Sequence, residues 1–124
     1  MKIYVSHPRH GYDYVKNLYE PLRQSHLDRN HKIFFPHENS DLPFDTRKLL
    51  KTFDLLLAEV SMPSTGQGIE LGWANAGLIP IICIYQKGSK PASSLAAITH
   101  VFIEYDSPSD MIAKIDEFLK GFHK

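Results

Sequence analysis

The chain has 124 residues, 43% hydrophobic and 23% charged, and its 14 basic and 14 acidic side chains cancel to a formal charge of zero. This predicts one soluble domain with an ordinary core. It excludes the basic footprint of a nucleic-acid binder, and no apolar run approaches the ~20 residues that span a bilayer. The one cysteine, Cys83, lies in the apolar run 81–85 and reads as a small buried hydrophobe. With no disulfide to form within the chain, and an N-terminus too quickly polar for a signal peptide, a cytoplasmic location is expected.

Residues 3–6 combine β-branched and aromatic side chains and read as a first strand, ending in the polar loop Ser6-His7-Pro8-Arg9-His10-Gly11. Over 12–25, Tyr14, Val15, Leu18, Tyr19 and Leu22 recur at helical spacing, with a kink or a broken helix expected at Pro21. A second strand is expected over 31–35, then a loop holding His37 and Glu38, then a helix over 46–53 capped by Asp45 or Thr46. The third strand, 54–60, contains Leu55-Leu56-Leu57 without alternation, as in a strand buried on both faces. A helix follows to about residue 76, stopped by Gly77, with Trp73 expected in the core from its spacing to Ile69 and Gly77. A fourth strand over 79–85, a short helix over 93–98, a fifth strand over 100–105 and an amphipathic helix over 108–122 complete the pattern.

Alternating strands and helices predict an α/β domain, 1–124, with a five-stranded parallel sheet in the flavodoxin-like order 2-1-3-4-5 flanked by helices in three layers. Right-handed crossovers bring the strand-to-helix loops to one edge. His7, Arg9, His37, Glu38, Ser64 and Glu70 gather there. At the junction Pro63-Ser64-Thr65-Gly66-Gln67-Gly68-Ile69-Glu70, two glycines allow close backbone approach, Ser64 or Thr65 can cap the helix, and its first N–H groups favour an anion. Glu70 is either a carboxylate facing that crevice or an acidic residue favoured by the helix dipole. His7, His37 and Glu38 are candidates to line the crevice and contact a ligand. No dinucleotide fingerprint, phosphate loop or Gly-x-Ser-x-Gly elbow is present. The seven histidines lack metal-ligand spacing, so neither a metal nor a cofactor is expected.

The stretch from Asp54 to Ala74, and above all Ala58-Glu59-Val60-x-x-Pro63-Ser64-x-Gly66-x-Gly68-x-Glu70-Leu71-Gly72, resembles the nucleoside 2-deoxyribosyltransferase superfamily, most closely its 2'-deoxynucleoside 5'-phosphate N-hydrolase branch. A looser likeness runs from the first strand to about residue 105. The resemblance implies that Glu70 attacks the anomeric carbon of a sugar. It implies that Ser64, with Gly66 and Gly68 beside it, binds a 5'-phosphate. Ser6 and Arg9 would assist across a one-residue gap, and Ser93 or Ser94 would add a hydroxyl, to a neighbouring subunit's site. A homo-oligomer acting on a small nucleoside or nucleotide is therefore expected. The family usually has an aspartate eight positions before the one opening the third strand. Counting back from Asp54 reaches Thr46, with Asp45 one residue earlier. Either Asp45 serves in proton transfer or the general acid is missing, because a threonine cannot protonate a leaving base. The expected activity is cleavage or transfer of an N-glycosidic bond. The alternatives are a non-catalytic nucleotide sensor on the same fold and a TIR-like NAD glycohydrolase.

Overall fold

The computed structural model describes residues 1–38 and 46–122. In chain order the elements are β1 (Lys2–Ser6), a π-helical turn (Val15–Tyr19), α1 (Glu20–Gln24), α2 (His26–Asn30), β2 (Lys32–Phe34), α3 (Thr46–Leu50), β3 (Leu55–Glu59), α4 (Thr65–Ala76), β4 (Ile81–Gln86), a 3₁₀ turn (Ser93–Ala97), β5 (Phe102–Tyr105) and α5 (Pro108–Lys120). The strands form one parallel sheet in the order β2-β1-β3-β4-β5, as the alternating sequence predicts.

Successive residues of a strand face opposite ways, and the two apolar clusters follow that period. Ile3, Val5, Leu55, Leu57, Ile82 and Ile84 point to one side, where Leu18, Leu22, Leu27, Met111, Ile115 and Leu119 of the surrounding helices cover them. Tyr4, Leu56, Ala58, Ile81 and Cys83 point to the other, against Leu50, Phe53, Leu71 and Ala74. Two covered faces explain why β3 shows no polar alternation: all five of its residues are buried. Each fully buried leucine there contributes ~1.5–3 kcal/mol by leaving water. Asp54 fastens the start of β3, since its N–H donates to the Lys2 carbonyl and its carboxylate accepts the Lys2 N–H, both at 2.8 Å.

Local expectations are met in part. The helix over 12–25 is interrupted next to Pro21, as a kink or break there predicts. A wide π turn precedes the proline, with the Glu20 N–H bonded to the Val15 carbonyl five residues back, and the chain then enters α1 with Pro21 in its first turn. The added residue per turn swings Val15 out, leaving it exposed rather than buried. The helix ends at Ser25 as expected, but a second helix, α2, starts directly after it. The Ser25 hydroxyl donates to the Leu22 carbonyl at 2.8 Å, ending α1, and accepts from the Leu27 N–H at 3.2 Å, starting α2. The helix expected over 46–53 stops at Leu50, although Phe53 is buried as foreseen.

At the end of α4, Gly77 is the C-cap but keeps a right-handed φ of −84°. The left-handed residue is Leu78, at φ +60°. Its N–H donates to the Asn75 carbonyl at 3.1 Å, and the Ile79 N–H donates to the Ala74 carbonyl at 2.9 Å. These are the two bonds of a Schellman motif, with leucine where glycine is usual.

Trp73 is not in the core. The buried stripe of α4 is Gln67, Leu71 and Ala74, and Trp73 stays 38% exposed. Its i, i+4 relation to Ile69 does define a common face, but that face looks into a cavity.

Candidate functional site

The C-terminal ends of the strands carry a cavity of about 520 Å³, with one wall formed by α4. Ser64 caps this helix: its hydroxyl accepts the Gln67 N–H at 3.3 Å. The first intrahelical bond runs from the Gly68 N–H to the Ser64 carbonyl at 3.0 Å. The N–H groups of Thr65 and Gly66 therefore come before the helical ladder begins, in the polarity that favours an anion. Gly66, Ile69, Glu70 and Trp73 all line the cavity. Their i, i+3, i+4, i+7 spacing places them along one face of the helix.

Glu70 is the cavity's carboxylate. The Tyr4 hydroxyl donates to Oε2 at 2.7 Å and the Ser6 hydroxyl donates to Oε1 at 3.1 Å. Tyr4 and Ser6 are two residues apart on β1, so the strand period turns both toward α4. The Thr46 hydroxyl at the start of α3 also bonds the carboxylate. Burial holds the Glu70 pKa above the ordinary carboxylate range, and the three hydroxyls pull it partway back. Burial and the neighbouring Glu70 charge push the Tyr4 phenol far up, which keeps it a proton donor.

The loop after β1 forms a second wall, with His7, Pro8, Arg9 and His10 lining the cavity. Gly11, at φ +77°, lets this loop turn, and a Cβ there would meet the Met62 side chain at 3.0 Å. The buried His7 ring stacks on Tyr14, with centroids 4.2 Å apart. Its Nδ1 lies 2.9 Å from the Pro8 carbonyl, which only accepts, so Nδ1 carries the proton. Nε2 then accepts from the Tyr19 hydroxyl at 2.6 Å, and that oxygen accepts the His37 N–H at 3.1 Å. Burial pushes the His7 pKa down to about 4, so the ring is neutral near pH 7.

The expected site residues thus divide by position. Glu70, His7, Arg9, His37, Ser64 and Gly66 come together around the cavity. Ser6 does not line it; it is buried beneath Glu70 and holds the carboxylate, which differs from the expected place beside a phosphate. Glu38 also departs from expectation. It pairs with Arg23, whose Nε and Nη2 donate at 2.9 and 2.5 Å, and this pairing holds its carboxyl below the usual range. Ser94 and Gly68 line a separate cavity of about 260 Å³ on the other side of Ser64 and Thr65. Asp45 lies outside the described residues. Among the described residues, no cluster of three or more His, Cys, Asp or Glu is placed to hold a metal, and no helix is long and apolar enough to cross a membrane.

Glu59 is a buried carboxylate that the sequence reading missed. It has no exposed surface, at the end of β3. It accepts the Ser61 N–H at 2.6 Å and the Ser61 hydroxyl at 3.0 Å, and both Tyr105 and Tyr12 donate to it. The Ser61 hydroxyl in turn accepts the Gln86 N–H at 2.8 Å, and the Gln67 amide donates to the Glu59 carbonyl at 2.8 Å. One side chain thereby joins β3, β5 and the loop after β1, and through Ser61 the end of β4, just before the turn that carries Ser64. A glutamate inside an apolar strand was the available signal, since such a residue is buried only when paired.

The five-stranded parallel sheet in this order is the α/β fold of two solved deoxyribosyltransferase-like structures. A CMP N-glycosidase of Clostridium botulinum superposes with a TM-score of 0.66 at 22% identity, covering 94% of this chain and 99% of that one. A 2-deoxyribosyltransferase of Bacillus psychrosaccharolyticus superposes with a TM-score of 0.63 at 19% identity, covering 90% of each. In sequence, the chain is 35% identical over 77 residues to a protein of Syntrophotalea carbinolica named as a 2'-deoxynucleoside 5'-phosphate N-hydrolase. That match covers 60% of this chain and 54% of the relative, so it spans about half of the relative's length. No family model matches the chain. The resemblance to the nucleoside 2-deoxyribosyltransferase superfamily is thus borne out in sequence and in fold.

Proposed function

We propose that this chain cleaves the N-glycosidic bond of a nucleoside 5'-monophosphate, with Glu70 as nucleophile. The observation that carries this is the Glu70 carboxylate, held on both oxygens by Tyr4 and Ser6 at the wall of a cavity that also holds the capped N-terminus of α4. In this reading Ser64 and the first N–H groups of α4 hold the phosphate, with Arg9 beside them. Gly66 allows its close approach. A Glu70 oxygen attacks the anomeric carbon while the bond to the base breaks, and its electron pair leaves with the base nitrogen. Asp45 is the candidate to protonate that nitrogen. Water then attacks the glycosyl ester and frees Glu70; transfer to a second base is the same step with another acceptor. His7 and His37 line the cavity as contacts for sugar or base. Ser94, in the adjoining cavity, adds a hydroxyl to the phosphate site of a neighbouring copy. The unit is a cytoplasmic single-domain homo-oligomer, and sedimentation reports its size.

Incubation with deoxynucleoside and ribonucleoside 5'-monophosphates, monitored for free base, tests the activity. Glu70→Gln is expected to lower base release at least a thousandfold, on the order of 4 kcal/mol of barrier. Base release at an unchanged rate in that variant removes the nucleophile assignment.

A second reading is a nucleotide sensor without turnover. The observation favouring it is Thr46, which bonds Glu70 from the position where the family has its aspartate. Calorimetry separates the two readings: tight nucleotide binding with no base released supports the sensor, and turnover removes it.

A further inference from the structure

We propose that Trp73 is the surface on which the base of the bound nucleotide lies. The inference rests on the reading of the cavity as a nucleotide site and adds the seat of the base. Trp73 is the one tryptophan of the chain. It keeps 38% of its surface exposed, and it lines the main cavity together with Ile69 and Glu70. Long side chains on an α-helix lean toward its N-terminus, so the indole extends back over the turn that bears Ile69 and Glu70.

Position along α4 gives the direction of the ligand. Gly66, in the first turn, lies about 6 Å of helix rise before Glu70, and Trp73 lies about 4.5 Å beyond it. A nucleoside monophosphate has the same order: phosphate, anomeric carbon, base. With the phosphate at the start of the helix and the anomeric carbon at Glu70, the base extends toward Trp73. The indole offers a flat π face and Ile69 an apolar flank, which suits a planar base of either ring size. Stacking of this kind tolerates any base, so Trp73 supplies affinity for having a base rather than a choice among bases.

Because tryptophan occurs once, its fluorescence reports on this residue alone. In a Glu70→Gln background that prevents turnover, deoxycytidine and deoxyguanosine 5'-monophosphates are titrated against 2-deoxyribose 5-phosphate, which has no base. Both nucleotides are expected to change the tryptophan emission, and the sugar phosphate to leave it nearly unchanged. By calorimetry, Trp73→Ala is expected to weaken nucleotide binding by about tenfold to a hundredfold. It should leave sugar-phosphate binding intact, and Trp73→Tyr should restore most of the loss. Unchanged emission at saturating nucleotide, or an equal loss for both ligands, overturns the assignment while leaving the nucleotide site standing. A change in sedimentation with no change in affinity also overturns it, placing Trp73 between copies of the chain. If the parent protein binds neither ligand, the nucleotide reading itself fails and this assignment falls with it.

Discussion

Glu70 sits between two opposing forces. Desolvation favours its protonated form, whereas hydrogen bonds from Tyr4, Ser6 and Thr46 favour the carboxylate. A nucleophilic carboxylate must be ionised, so activity is expected to fall on the acidic side at a pH above the ordinary carboxylate range. Tyr4→Phe removes the donor on Oε2 and is expected to move that limb further up, costing on the order of tenfold in rate at acidic pH. A kcat/KM profile that superimposes on that of the parent protein would show that Tyr4 does not set the protonation of Glu70. Residue by residue, the sequence was legible where the signal is local. Ser64 as a cap and Glu70 on the cavity face both follow from a turn entering a helix. It was illegible where a partner decides: Ser6 found Glu70 across 64 residues, and Glu38 found Arg23. Trp73 shows a different limit. Periodicity says which residues share a face but not what that face meets, and here the face of Ile69 and Trp73 meets a cavity.

At the scale of elements, chemistry at the ends matters as much as pattern in the middle. Ser64 and Ser107 both cap helices through the N–H three residues on; the sequence reading named the first and not the second. α4 ends at Ala76 with Gly77 as its C-cap, as the sequence announces. It is Leu78, however, that takes the left-handed conformation, and it is 90% exposed. A side chain in that conformation costs ~1–2 kcal/mol, and Leu78 has little packing to offset it. Leu78→Gly is therefore expected to stabilise the protein by about 1 kcal/mol, read as a rise of a few degrees in Tm; a lower Tm would mean that the leucine contributes through contacts outside this chain. The restart as α2 after Ser25 was hidden for a different reason. One hydroxyl ends α1 and begins α2, and apolar spacing continues across the junction.

At the scale of the whole molecule, sheet order follows from the alternation of strands and helices and from the handedness of crossovers, so it was readable without knowing any contact. Networks that tie distant segments were not readable. His7 is the instance with a measurable consequence for the whole fold. Its pKa is 6.5 in the unfolded chain and about 4 when folded. Between these values the unfolded chain binds the extra proton, so the His7 contribution is fully present above pH 6.5 and is lost as pH falls toward 4. The raised pKa values of Glu59 and Glu70 act in the opposite sense, weakening the fold as pH rises through them. Denaturant unfolding of the parent protein and His7→Gln at pH 7 and pH 4 isolates the histidine. The stability difference between the two proteins is expected to change by on the order of 3 kcal/mol; parallel curves would exclude His7 as the acid-sensitive group.

The helix that walls the cavity has little tendency to be a helix. Within its 12 residues α4 carries Gly66, Gly68 and Gly72, with no acidic residue in its first turn and no basic residue in its last. The two inner glycines alone forfeit about 2 kcal/mol relative to alanine, and a segment this short is marginal in water even with a better sequence. Cut out as a peptide, it would be a coil. Its order comes from Leu71 and Ala74 docking on the sheet, so this wall of the cavity lasts only as long as that packing does.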